Sequence, residues 1–85
     1  MVNRNKRLIK GIESLQERIE EHFKKIEEDI ADINIERGRY HASEIDRSLI
    51  KALEDKIKIL ELPEEIINEY RERLAKVKEE LDKLE

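Results

Sequence analysis

Apolar positions in the first part of the chain fall at Leu8, Ile12, Leu15, Ile19, Phe23, Ile26, Ile30 and Ile33. The steps of three and four residues predict one long helix over about 5–37. Two consecutive steps of four, around Ile19, break a strict heptad and locally unwind a supercoil. Gly11 is a weak point, since glycine costs about 1 kcal/mol relative to alanine inside a helix. Gly38, preceded by Arg37, is read as the stop, with glycine in the left-handed cap and a cation at the negative helix end. A second helix is expected over about 40–61, starting between Arg39 and Ser43, where Ser43 and Asp46 have capping-box spacing. It carries one stripe at Ala42, Ile45, Leu49, Ala52 and Ile59, and another at Ile50, Leu53, Ile57 and Leu60. The two are offset by one position, which suggests a wide face touching two neighbours. Leu62-Pro63 ends this helix, and Pro63 suits the first position of a third over about 63–84. There Ile67, Tyr70, Leu74, Val77, Leu81 and Leu84 keep a clean heptad, with Ile66 widening the face.

The predicted fold is therefore all-α, an antiparallel three-helix bundle with a long first helix in one domain over 1–85. Glu36-Arg37-Gly38-Arg39-Tyr40-His41-Ala42 resembles the turn between paired helices of tetratricopeptide repeats. The resemblance implies a hairpin and no repeat family, because no second copy follows at that spacing. A helix continuing through Gly38 is the other topology, and it would give a swapped, elongated dimer. With the turn at Gly38, the second helix returns only to about Gln16. An overhang of roughly 18 Å is then left on the first helix at 1.5 Å per residue. Leu8, Ile12, Leu15 and Ile19 become the expected self-association stripe, because an uncovered apolar stripe is unfavourable. A thin core in a chain of this size points the same way. A C2 dimer with antiparallel first helices is the favoured assembly.

Composition narrows the classes. Of 85 residues, 47% are charged and 4% aromatic, and there is no cysteine. That excludes a disulfide scaffold, a thiol nucleophile and a cysteine zinc site. No stretch approaches the length of uncharged apolar sequence that spans a bilayer, and no secretory signal is expected, so a cytoplasmic protein is predicted. The bias toward Glu, Lys and Ile matches the ion-pair-rich surfaces of hyperthermophile proteins. Six Glu-to-cation pairs four residues apart support solvated helix faces: Glu20–Lys24, Glu21–Lys25, Glu54–Lys58, Glu69–Arg73, Glu72–Lys76 and Glu79–Lys83.

Net charge is −4, but it is unevenly spread. Arg4, Lys6, Arg7 and Lys10 make residues 1–10 a basic N-terminal arm on an acidic body. Such an arm can contact phosphates, so these four are the candidate nucleic-acid contacts, with Arg37, Arg39 and Arg47 as a second patch. A membrane surface is a weaker use, since the arm lacks Trp and Phe. His22 and His41 lack the Glu three residues before that di-metal bundles use, which leaves them as boundary histidines satisfied by solvent or Glu. Helical nucleases of the HEPN type place four to six residues between Arg and His. Arg18…His22 and Arg37…His41 have three, so that pattern is missed. Tyr40 is expected to seal the bundle end and Tyr70 to pack. The functional expectation is a small self-associating interaction or structural module with no enzymatic activity and no cofactor or metal. Another protein partner is a further option. A nucleic-acid-binding accessory or regulatory protein using the basic arm is the alternative.

Overall fold

Ala31 is the last residue of the first helix, six residues before Arg37. The chain reverses at Asp32-Ile33-Asn34. Ile33 takes the left-handed conformation, at φ 57°. Its N–H bonds the Ile30 carbonyl (3.1 Å) and that of Asn34 bonds the Asp29 carbonyl (2.7 Å). Together these form a Schellman motif with isoleucine where glycine is usual. Asn34 then caps the next helix, its side chain accepting from the Arg37 N–H at 3.3 Å. The computed structural model describes residues 4–85, with side chains described from Lys6 onward. It is an all-α antiparallel bundle of three helices, with extents of 52 × 18 × 15 Å. We label them α1 (Arg4–Ala31), α2 (35–60) and α3 (Glu65–Lys83). No described helix is long and apolar enough to cross a membrane.

Gly38 lies inside α2 instead of ending α1, and its φ is not positive. It serves close packing. A Cβ there would sit 2.5 Å from Cδ2 of Leu81, a fully buried side chain of α3. The helix thus continues through Gly38, but the hairpin survives because the turn comes earlier.

α2 is built as Ile35–Glu44, a π turn at Ile45–Leu49, and Ile50–Leu60. The Ile50 N–H reaches back to the Ile45 carbonyl. This one-residue insertion accounts for the two offset stripes. Ala42, Ile45 and Leu49 face the core up to the turn, and Ile50, Leu53 and Ile57 face it afterwards. Ile59, which continues the first stripe, is exposed. The face is not wide; its phase shifts by one residue.

A second Schellman motif closes α2, with Glu61 left-handed at φ 54° and Leu62 N–H bonding the Ile57 carbonyl at 3.0 Å. α3 begins at Glu65, two residues beyond Pro63. Tyr70 packs on Phe23 with ring centroids 6.4 Å apart, and the Arg73 guanidinium lies 4.2 Å above the Phe23 ring. Arg73 also grips Glu20 of α1 through both guanidinium nitrogens. Cross-helix pairs therefore take up two side chains, Glu20 and Arg73, that local pairing assigned to Lys24 and Glu69. Glu54–Lys58 and Glu79–Lys83 do pair within their helices.

Because α2 starts at Ile35, it reaches further along α1 than a turn at Gly38 allows. Lys56 lies against Gly11, where an added Cβ would meet Lys56 Cε at 3.1 Å. The expected overhang shrinks accordingly.

Candidate interaction surface

Three of the four residues of the expected stripe are drawn into this chain's own core. Ile12 and Ile19 are buried, Leu15 packs against the core, and Leu8 is half-buried. The large apolar side chains left exposed lie toward the two ends of the bundle.

At the first end, α3 starts late. Arg73 pairs with Glu20, which places Glu65 beside about residue 12 of α1. Some eight residues of α1, roughly 12 Å at 1.5 Å per residue, therefore extend past α3. Ile9, Ile59 and Leu62 are exposed at this end. So are Lys6, Arg7 and Lys10. Arg4 belongs to α1, but its side chain, like residues 1–3 of the basic arm, lies outside the described ones.

The other end is the Asp32-Ile33-Asn34 tip. Ile33 is 66% exposed. Glu27, Glu28, Asp32 and Glu36 surround it in sequence and are exposed. Arg39, one of the second patch of cations, is committed here to Asp82 (3.1 Å) and Glu85 (3.0 Å) of α3. Those hydrogen bonds raise the Arg39 pKa and lower that of Glu85. Tyr40 does not seal the end; it is 62% exposed, and the Glu44 carboxylate raises its pKa.

α1 thus carries its charges against its own dipole. Its first turn has no acid and its last turn no cation. Cations occupy the positive end and carboxylates the negative one. Each such placement costs about 0.3–1 kcal/mol relative to the reverse at an exposed site.

Between the ends, α1 and α2 share a polar seam. His22 Nε2 lies 2.6 Å from Glu44 Oε2, and its Nδ1 lies 2.9 Å from the Arg18 carbonyl. Both partners accept, so the ring is fully bonded only with a proton on each nitrogen. His41 Nδ1 lies 2.7 Å from Oδ2 of the buried Asp29. The two imidazoles meet edge to face at 6.0 Å. Glu44 has a lowered pKa, from the Tyr40 hydroxyl first and His22 second. Sequence spacing identified neither pair, because the partners of the histidines lie on the opposite helix. Among the described residues, no three His, Asp or Glu side chains gather as a metal site.

A shallow groove of about 300 Å³ runs beside the π turn, lined by Arg39, Ser43, Asp46, Arg47, Lys78 and Asp82. Two of its cations face carboxylates: Lys78 lies 3.5 Å from Asp46, and Arg39 is held by Asp82. Arg37 and Arg39 stand near the tip and Lys6 to Lys10 at the opposite end, so the two basic groups form no continuous surface. No protein family, curated protein or solved structure matches this chain.

Proposed function

We propose that the protein is a helical interaction module that associates with copies of itself and performs no catalysis. One observation carries this reading: an exposed isoleucine is held in the left-handed conformation at the hairpin tip. That conformation costs an L-residue roughly 1–2 kcal/mol, and a β-branched side chain suits it least. Gly or Asn would close the same turn with less strain. Among the described residues, those around Ile33 leave its side chain 66% exposed, with little burial to offset the strain. Its use lies in what it touches on another molecule. Light scattering at two protein concentrations tests the reading. A mass above that of the 10.2 kDa chain, rising with concentration, supports it, and a monomer at every concentration ends it.

A second reading is favoured by the exposed cations Lys6, Arg7 and Lys10 on one end of α1. With Arg4 they would neutralise phosphates, and log K for an oligonucleotide would then fall linearly with log salt. A fluorescently labelled duplex and a single strand, titrated at two salt concentrations, would show that slope or its absence.

A further inference from the structure

The geometry points to a specific assembly: two copies packed side by side and antiparallel, with the basic end of each against the acidic tip of its partner. This rests on the self-association reading and adds the partner's orientation and what selects it.

Shape decides between stacking and lateral packing. A stable interface buries on the order of 800 Å² per partner. The extents of 52 × 18 × 15 Å make each end less than a third the size of a long side. End-to-end contact is the smaller of the two. Lateral packing is the larger, and closed two-fold symmetry satisfies both copies at once.

Charge decides between parallel and antiparallel. Segments 4–10 and 56–66 form one end and hold six cations against three acids. Segments 27–39 and 79–85 form the other and hold nine acids against three cations. A parallel pair sets like ends together. An antiparallel pair sets Lys6 and Arg7 of one copy near Glu28 and Asp32 of the other, and brings the Ile33 tip to the end that exposes Ile9 and Leu62. The partner then supplies what is missing at each end of α1: acid near its cationic start and cation near its acidic finish. The same charges that oppose the helix dipole within one chain are answered across the interface.

Two variants test this. One carries Lys6→Glu and Arg7→Glu; the other carries Glu28→Lys and Asp32→Lys. All four positions are exposed, and both changes bring the ends of α1 into agreement with its dipole, so each variant is expected to fold. Alone, each variant sets like charges against one another where positions 6 and 7 of one copy meet positions 28 and 32 of the other, and should be monomeric where the wild type dimerises, with Kd raised about tenfold or more at low salt. Mixed in equal amounts they should form a heterodimer, seen as a mass near twice the chain by sedimentation equilibrium. A wild-type dimer that both variants retain alone, or a mixture that stays monomeric while the wild type dimerises, overturns the orientation but leaves self-association standing. A monomeric wild type removes both.

Discussion

Ile33 and Gly38 lie five residues apart and show two different reasons for a residue's presence. Gly38 is in a helix, where alanine normally stabilises by about 1 kcal/mol. Here the added methyl would press on Leu81, which has no room to yield. Gly38→Ala should therefore destabilise, by about 1–3 kcal/mol from overpacking. Urea unfolding checks the sign, and a stabilised Gly38→Ala would show that the α2–α3 contact is loose. Ile33→Gly should do the opposite, relieving the left-handed strain and raising stability by about 1 kcal/mol. The same change should weaken self-association. A gain in monomer stability with a loss of dimer separates a contact role for Ile33 from a folding role, and unchanged association would deny the contact. Asp29 is a third case. Asp29→Ala leaves His41 half-buried without its acceptor and should cost about 1–3 kcal/mol. Replacing Asp29 and His41 together by leucine should cost much less, which a double-mutant cycle measures.

At the scale of elements, the π turn makes a sharp prediction. Deleting the exposed Arg47 removes the inserted residue and leaves the apolar positions of α2 on a regular three-four spacing. Helical circular dichroism and a cooperative thermal transition should persist. Deleting Lys24 instead rotates the rest of α1 by about 100° and should abolish cooperative unfolding. If both deletions unfold the chain, the phase-shift account of α2 is wrong. The three helices and their core faces were legible from periodicity, and the offset stripes already held the signal of the π turn. What misled was the association of glycine with helix ends. Neither turn uses glycine, and left-handed Ile33 and Glu61 leave no trace in sequence because Gly and Asn, not Ile or Glu, mark that conformation. Moving the turn from Gly38 to Ile33 lengthened α2, and Ile12 and Ile19 are buried within the chain, so the proposed contacts move from the stripe to the ends. The basic arm was legible as charge. Its opposition to the helix dipole became visible only once the ends of α1 were known.

For the whole molecule, charge contributes to stability and is what the proposed assembly rests on. Glu20, Glu44 and Glu85 have lowered pKa values, through Arg73, Tyr40 with His22, and Arg39 respectively. The unfolded chain therefore binds more protons at these sites. Their contribution is complete above the ordinary glutamate range and is lost as pH falls through the lowered folded values. The midpoint of thermal unfolding should hold steady on the neutral side of about pH 5 and drop below it. A midpoint that rises on acidification would contradict those pairings. The proposed assembly should weaken with salt, because exposed charges are screened within about 8 Å at physiological ionic strength and about 3 Å at 1 M. The most direct measurement is the molar mass of the wild-type chain by light scattering, at low and high salt and at two protein concentrations. The account predicts twice 10.2 kDa at low salt, moving toward the single-chain mass as salt is raised. A mass of one chain under every condition would contradict it.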